Sequence, residues 1–413
     1  CRYCERELIL IIRFRVKQCF KMSVNMDDGN DRVSSSASSP IPPEPFEPKA
    51  VVNFSDDISK DGDTVYFTIL VKKNNQEGES SDEGHSIKRQ YEDFEWLEHC
   101  LTTSNNVSGV IIPPLPLKPA TDPSGTEARS RKQLGASTPG MIGDEFYKTS
   151  VQLEKYLNLL LSHEIFGNDQ QLMDFLWKNE APPRAKLKKG ILSRLNESME
   201  SRKSTHPDCD EFFQKERVWV ASYLNAIKET SDKFNTIIFT YQRVCNQLAH
   251  LATAFSLCIG SSDPSNIIYN KLNIRYSECI DSYRKGLEKY YLGQESTLGL
   301  HLDLYRCYIE SESQMLLRRT CLLIDYENAN RNMDRAKPTK KELAEKYKHE
   351  AEQAYEECSD VARREIKKFQ RLRTKEFKDA LVAYASSQLT AAQGTRSLLI
   401  QSLDKFKQFS IAI

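Results

Sequence analysis

The sequence has no long hydrophobic run. Its first apolar stretch, LILII at residues 8–12, has only five residues, whereas a membrane-spanning helix needs about 20. A secretory signal needs an apolar core of roughly 7 to 15 residues and a small-residue cleavage site, so neither a span nor a signal is predicted. We expect residues 1–21 to be upstream translated sequence, with Met22 as the natural start, and leave them out of the fold prediction.

Catalytic and metal-binding motifs are also missing. The chain has no HExxH, GxSxG, GxxxxGK[ST] or GxGxxG, and its seven histidines lie far apart. The eleven cysteines are spaced singly except for a CxxC formed by Cys1 and Cys4. A zinc site needs four ligands and no second CxxC follows, so the usage is typical of a reduced compartment. The sequence therefore predicts a non-enzymatic protein with no metal and no cofactor.

Excess charge of one sign is absent as well. The 58 basic residues equal the 58 acidic ones, which argues against a surface tuned as a whole to nucleic acid. No aromatic-interleaved binding motif accompanies the local basic runs. Any surface for an anionic partner must therefore be local, and nucleic acid is not predicted as a partner.

The first half of the chain predicts a leader and an α+β domain. Residues 1–48, rich in Ser, Pro and Asp beyond Met22, are expected to be a disordered leader. AVVNFSDDI and DTVYFTILVKK, separated by the turn formers SKDG, predict a strand hairpin, and HSIKRQY predicts a third strand. Phe94, Leu97 and Leu101 then have the spacing of one helix face. We predict a three-stranded antiparallel sheet with helices over residues 49–180.

Four prolines in IIPPLPLKP predict an extended segment after that helix, followed by a flexible loop over 120–143 and a helix through Leu153 and Leu161. A linker follows at 181–203, and residues 204–413 carry helical periodicity. Breaks fall at 260–266, where Asp263 precedes Pro264, and at 337–342, where Thr339 and Glu342 fit a capping box. The last two helices would have about 70 residues each, or about 105 Å. Such length indicates an elongated bundle completed by a partner chain.

Several segments resemble the PX-BAR sorting nexins, especially the sorting nexin 5, 6 and 32 group. They are RQYEDFEWL, IIPPLPLKP, CDEFFQKE and LLRRTCLLIDYENANRNMDRAK, within a resemblance that covers residues 50–410. The resemblance implies an α+β PX domain followed by an all-α BAR domain, a long three-helix antiparallel coiled-coil bundle that dimerises as a crescent.

In PX domains that bind a 3-phosphorylated inositol lipid, the family motif resembles Arg-Arg-Tyr-x-x-Phe, and its second Arg contacts the phosphate. This chain has Arg89, Gln90 and Tyr91 at the first three positions. Gln90 carries no charge, which removes the charge-assisted bonds of an arginine. Lys118 fits the family's second basic contact, while Thr149 and Ser150 stand where a further Arg is expected. We predict a degenerate pocket with weak or no binding of phosphatidylinositol 3-phosphate.

Within the group, the PX domain looks like a protein-binding module to which an extended cargo segment adds at a sheet edge beside a helical hairpin. The insertion between LGASTPGMIGDEF and LSHEIF is shorter here than expected, and the second half of the hairpin looks absent. Cargo binding by that route stays open.

The linker RAKLKKGILSRLNESM favours a basic amphipathic helix that lies in a membrane interface. The alternative is a helix packed on the first long helix, which also needs an apolar stripe. The predicted membrane-facing residues are Lys186, Leu187, Lys188, Lys189, Ile191 and Leu195.

A second basic surface is predicted on the long helices, where residues 363–378 hold eight basic and two acidic residues. Near an anionic membrane each Lys or Arg contributes about 1 kcal/mol. A charge run is more often a solvated face, and only part of this one can point at lipid. The candidate residues are Arg318, Arg319, Arg331, Arg335, Lys340, Lys341, Arg363, Arg364, Lys367, Lys368 and Arg371.

The resemblance implies an endosomal coat subunit for endosome-to-Golgi or recycling transport, peripheral on early endosomes and their tubules. It also implies its partners: a sorting nexin 1 or 2 type chain in a heterodimer, anionic endosomal membrane, transmembrane cargo tails, and dynactin and dynein components. The alternative is a cytoskeletal or motor adaptor that uses its long helices only to dimerise. The sequence leaves homodimer and heterodimer open.

Overall fold

A computed structural model describes residues 46–61, 64–74, 84–118, 142–180, 206–258 and 266–408. All of them belong to one compact unit, Phe46–Ile413. We refer to the described residues of 46–180 as the α+β region and to those of 206–408 as the helical bundle.

The α+β region contains a three-stranded antiparallel sheet in the order β1-β2-β3. Strand β1 spans Ala50–Asp61, β2 spans Thr64–Lys73 and β3 spans His85–Arg89. The three predicted strands are present, although β1 continues through Ser59, Lys60 and Asp61, which the turn-forming SKDG had placed in the connection. Pairing with β2 extends to Asp61 opposite Thr64, so the strand ladder overrides the local turn preference.

Three helices complete this region. Helix α1 is Tyr91–Ser104, α2 is Ile142–Leu161 and α3 is Gln170–Trp177. Between α1 and residue 118 the proline-rich segment forms neither helix nor strand, as predicted. One apolar core joins the inner face of the sheet to all three helices. It contains Val52, Phe67, Ile69, Ile87, Phe94, Leu97, Leu153, Leu157, Leu172 and Phe175 among others.

The helical bundle consists of very long helices. Helix α4 is Glu211–Leu257, α5 is Ile267–Gln294, α6 is Leu300–Asp334 and α7 is Lys341–Lys407. A π-helical turn, Glu295–Gly299, joins α5 to α6 without a break in the helix. The continuous helix α5–α6 and helix α7 therefore have the predicted lengths. Both α4 and α7 pack along α5 and α6. The predicted α+β and all-α fold classes are confirmed.

One predicted helix start is wrong and another is not described. A 3₁₀ turn, Pro338–Lys340, precedes α7, and the helix then begins at Lys341 with Lys340 as its N-cap. Proline begins that turn, so Thr339 lies inside it and does not cap α7, and the Thr339–Glu342 capping box is not formed. The predicted cap at Asp263 and Pro264 lies outside the described residues.

Candidate functional site

Gln90 lies at the junction between β3 and α1, where it is the N-cap residue of the helix. Its backbone N–H donates to Oδ2 of Asp93 at 2.8 Å. The backbone N–H of Asp93 in turn donates to the carbonyl oxygen of Gln90 at 3.1 Å. The position that a phosphate-binding arginine would occupy therefore carries an uncharged residue beside a buried carboxylate, which disfavours an anion.

Arg89 is completely buried, with 0% of its surface exposed. Its Nη2 donates to the carbonyl oxygens of Phe175, at 2.8 Å, and of Lys178, and its Nη1 donates to that of Asn179 at 3.4 Å. The guanidinium also lies 5.1 Å from the centre of the Phe175 ring. Burial lowers the pKa of Arg89 from its usual value. The Arg89 side chain therefore stabilises the position of the end of α3, and none of its surface is accessible to a lipid headgroup.

The remaining pocket residues are also engaged within the α+β region. The hydroxyl of Tyr91 donates to the carbonyl oxygen of Pro116, and burial raises its pKa above the usual range. Lys118 Nζ lies 2.7 Å from Glu92 Oε1 and 5.8 Å from the Tyr91 ring centre. Thr149 and Ser150 are 5% and 4% exposed. The structure places Lys118 against Tyr91 and directs the buried Arg89 side chain to the end of α3 instead, so of these four residues only Lys118 has an accessible cation, and it is paired with Glu92.

The outer edge of β1 is occupied by side chains of α2. Asn158 accepts from the backbone N–H of Val52 at 3.1 Å and donates to its carbonyl oxygen at 2.8 Å. The N–H of Phe54 donates to Glu154 Oε2 at 2.7 Å. An extended peptide cannot pair with these two residues without displacing α2 contacts. The other edge of the sheet is β3.

The six predicted residues of the amphipathic linker, from Lys186 to Leu195, lie outside the described residues. Of the basic surface on the long helices, eight residues are exposed. They are Arg331, Arg335, Lys340, Lys341, Arg364, Lys367, Lys368 and Arg371.

The assignment of Arg319 to that surface is wrong, because it is 1% exposed. Its Nη1 donates to the buried carboxylate of Asp208, its Nε to Ser359 Oγ at 2.9 Å and its Nη2 to the Tyr355 hydroxyl at 2.7 Å. The guanidinium also stacks 3.5 Å from the centre of the Phe213 ring. A buried cation that is hydrogen-bonded to a carboxylate and two hydroxyl groups stabilises the bundle from inside and does not contact lipid.

Two further predicted residues are half-buried and already have partners. Arg318 donates from Nη2 to the carbonyl oxygen of Val110 at 2.7 Å and from Nε to that of Ser108 at 3.4 Å. Arg363 donates to the carboxylate of Asp210, at the start of α4. Arg318 thus joins the bundle to the α+β region, and neither side chain is free to face a membrane.

The contact between the α+β region and the bundle was not predicted from the sequence. Lys148 Nζ lies 2.8 Å from Asp303 Oδ2, and His163 Nε2 lies 3.1 Å from Glu365 Oε2. A Cβ at Gly109 would lie 2.5 Å from the carbonyl oxygen of Cys358, so the loop backbone packs directly on α7. These partners are about 155 to 250 positions apart in the chain. The polar face of α2, which carries Lys148, can be predicted from the sequence, but the residues that it contacts cannot.

One end of the bundle exposes many large apolar side chains. It comprises the C-terminal half of α4, helix α5 and the C-terminal half of α7, and we refer to its exposed side chains as the apolar face. A groove of about 630 Å³ lies on it between these helices, lined by Tyr241, Tyr283, Gly286, Thr395 and Leu403 among others. The exposed residues include Val244, Leu251, Leu257, Ile267, Tyr269, Ile274, Tyr276, Tyr283, Leu389, Leu399, Ile400 and Leu403.

The charges at this end are unbalanced. Residues 237–257, 267–294 and 380–407 together contain nine basic and four acidic residues. The acidic ones are Glu278, Asp281, Glu288 and Asp404, and the basic ones are Arg243, Lys271, Arg275, Arg284, Lys285, Lys289, Arg396, Lys405 and Lys407.

None of the helices in the described ranges combines the length and the apolar character that a bilayer crossing requires. Those same residues bring together no group of three His, Cys, Asp or Glu side chains that could hold a metal ion.

Comparison with known proteins shows similarity to one family model and to several curated relatives. The PX domain family matches residues 77–179. Sorting nexin-6 of Homo sapiens is 27% identical over 371 residues, which cover 84% of this chain and 89% of the relative. Sorting nexin-32 of Mus musculus is 25% identical over 382 residues, covering 86% and 92%. Sorting nexin-2 of Bos taurus is 22% identical over 362 residues, covering 81% and 67%.

Among solved structures, the SNX-BAR Mvp1 tetramer determined by cryo-EM matches with a TM-score of 0.35 and 15% identity, over 87% of this chain and 95% of that one. The curated relatives align with the α+β region and the long helices together, and the PX match falls on the α+β region. Over most of its length the chain is similar to sorting nexins, and its residues 77–179 match the PX domain family.

Proposed function

We propose that the protein is a non-enzymatic sorting nexin that works peripherally on endosomal membranes in endosome-to-Golgi or recycling transport. Its bundle pairs with a second PX-BAR chain and supports curved membrane tubules, and its α+β region binds proteins in preference to 3-phosphorylated inositol lipid. The observation that carries this proposal is the apolar face. Exposed apolar side chains that line a groove, as Tyr283, Leu399, Ile400 and Leu403 do, are typical of a protein interface, and this groove lies where three helix segments meet.

The charge of that end favours a different chain over a second copy. A second copy would oppose its own excess of basic residues, whereas a PX-BAR partner with an acidic face would complement it. A sorting nexin 1 or 2 type chain is the partner implied by the family. The proposal is therefore a heterodimer, with the apolar face as the common buried surface.

The oligomeric state tests the pairing. Sedimentation of the full chain alone should give a monomer, and addition of sorting nexin-2 should give a one-to-one complex. Leu399→Glu with Leu403→Glu should abolish the complex, because two charges would be buried in the interface. Leu343→Glu is the matched control, since Leu343 is also exposed but lies at the opposite end of α7. A stable homodimer, or a complex that survives both glutamates, would contradict the proposal.

Membrane support is tested separately with the purified heterodimer. Negative-stain images of anionic vesicles should show tubules, with the exposed basic residues of the bundle and the linker residues 186–195 at the lipid surface. Replacement of Leu187, Ile191 and Leu195 by Glu should reduce vesicle binding. Vesicles that stay spherical with an intact heterodimer would favour the cytoskeletal adaptor, which needs its helices only for dimerisation.

Cargo recognition is proposed at β3, because α2 side chains already occupy the edge of β1 at Val52 and Phe54. An extended cytosolic tail would add there as a further strand. A pull-down with an immobilised tail of a recycling receptor should retain the full chain. Dynactin and dynein components remain proposed partners by family resemblance, and the same pull-down format tests them.

A further inference from the structure

Two carboxyl groups are buried beside each other inside the bundle. Glu312 on α6 is 0% exposed and Glu216 on α4 is 3% exposed. Their carboxyl groups lie within hydrogen-bonding reach of each other. Around them is the apolar core shared by α4, α6 and α7, which also holds Ile111 of the α+β region. Its members include Phe213, Val220, Ile309, Met315, Leu316, Ile366 and Phe369.

In the described part of the chain, two polar groups of α7 face this pair. Gln370 Nε2 donates to Glu216 Oε1 at 3.3 Å. Arg373 supplies the nearby positive charge, and its guanidinium stacks 4.2 Å from the centre of the Trp219 ring. Among the described residues, neither oxygen of Glu312 has a hydrogen-bond donor. Two carboxylates thus face one guanidinium and one amide in an apolar core.

Full ionisation of both groups is unfavourable here. A buried carboxylate without donors loses its hydration, and a second carboxylate beside it adds repulsion. Burial first, and then the charge of Glu216, raise the pKa of Glu312 to about 8 despite Arg373. Burial also raises the pKa of Glu216. A proton between them would supply the missing donor and remove one of the two charges.

We propose that Glu216 and Glu312 together hold one proton at neutral pH, so that one carboxyl group donates a hydrogen bond to the other. The pair then carries a single negative charge opposite Arg373. Loss of this proton places two charges in the core that contacts Ile111, which makes the bundle beside the α+β region sensitive to pH.

The direction of the effect follows from proton linkage. An ordinary glutamate has a pKa of 4.5, whereas that of Glu312 is about 8 in the folded chain. The folded state therefore holds the proton through a range in which the unfolded chain has lost it. The pair's contribution to stability is fully present below about pH 4.5, falls as the pH rises through that range, and is lost above about pH 8.

Thermal unfolding of the full chain between about pH 6 and about pH 9 tests the proposal. Glu312→Gln keeps the shape, supplies an N–H donor and cannot lose a proton, so its unfolding midpoint should fall less with pH than that of the wild type. It should also be the more stable protein at the alkaline end. Glu356→Gln on the exposed surface of α7 is the matched control and should keep the wild-type pH dependence. A wild-type slope in Glu312→Gln would overturn the proposal.

Infrared spectroscopy gives a second readout that does not depend on unfolding. The wild type at neutral pH should show the carbonyl stretch of a protonated carboxyl group, and Glu356→Gln should keep this band. Glu312→Gln should lose it, and Glu216→Gln serves the same purpose where Glu312→Gln does not fold. Absence of the band in the wild type at neutral pH would overturn the shared proton.

Discussion

Among the residues that the structure describes, the α+β region buries Arg89 and the helical bundle buries Arg319, and the two side chains have different partners. Arg89 donates to the neutral carbonyl oxygens of Phe175, Lys178 and Asn179. Arg319 instead has a carboxylate partner, Asp208, whose side chain is itself fully buried. Arg89 therefore holds the end of α3 against the sheet by neutral hydrogen bonds. Arg319, on α6, forms an internal ion pair with Asp208 and also contacts α4 through Phe213 and α7 through Tyr355 and Ser359.

The two arginines also lie on opposite sides of the linker. Asn179, bonded by Arg89, comes just before residues 181–203, and Asp208, bonded by Arg319, comes just after them. Both ends of the segment between the two regions are thus anchored by buried cations. Both arginines therefore stabilise contacts inside the protein.

The largest effect is expected from Arg319→Met. The substitution leaves Asp208 buried without its cation, and breaking a buried ion pair costs about 3 to 5 kcal/mol. Chemical denaturation of the full chain measures the loss in the free energy of unfolding. Arg331→Met on the exposed side of the same helix is the control, because its partner Glu327 is only half-buried and such surface pairs contribute about 0 to 1 kcal/mol. Equal losses in the two variants would contradict the internal role of Arg319.

A smaller loss is expected from Arg89→Met. Its partners are neutral carbonyl groups at the end of α3, and of these only the Phe175 carbonyl is in a buried hydrogen bond. The cost is therefore mainly that of one unpaired buried acceptor, about 1 to 3 kcal/mol. Denaturation of the full chain followed by tryptophan fluorescence, to which Trp177 at the end of α3 contributes, measures it. Lys88→Met, at an exposed position in β3, should change little. A loss as large as that of Arg319→Met would remove the distinction between the two arginines.

The smallest effect is expected from Gln90→Arg. The new guanidinium would restore the second arginine of the family motif and supply charge-assisted bonds to a phosphate, and the affinity for phosphatidylinositol 3-phosphate should rise by about tenfold. Vesicle pelleting with and without that lipid measures the change. Ser86→Arg adds the same charge at an exposed position of β3 and should give no headgroup selectivity. Tight, selective binding by the unchanged chain would contradict the degenerate pocket.

Much of the fold was predictable because the relevant signals are local. Phe94, Leu97 and Leu101 lie on the buried face of α1, and the four prolines keep their segment out of helix and sheet. The long helices of the bundle were predictable because helical periodicity continues there without helix-breaking residues. Thr339 was assigned wrongly because a cap depends on where the turn begins, and Pro338 begins it one residue earlier.

The candidate site was less predictable. Arg318, Arg319 and Arg363 have the same charge and similar spacing as the exposed basic residues, yet they bond to the loop at 108–110, to Asp208 and to Asp210. Their partners are 111 to 210 positions away along the chain. Sequence periodicity places a residue on a helix face but does not say what covers that face.

By itself the sequence determined the α+β and all-α architecture, the long rods and the missing charge at Gln90, because strand alternation, helix periodicity and side-chain chemistry are properties of neighbouring residues. Only the tertiary structure decided which cations are buried, which end of the bundle exposes apolar surface, and that Glu216 meets Glu312. Those outcomes depend on contacts between segments that are distant in the sequence. Burial there changes the free-energy cost of a charged side chain far more than the type of charged residue does.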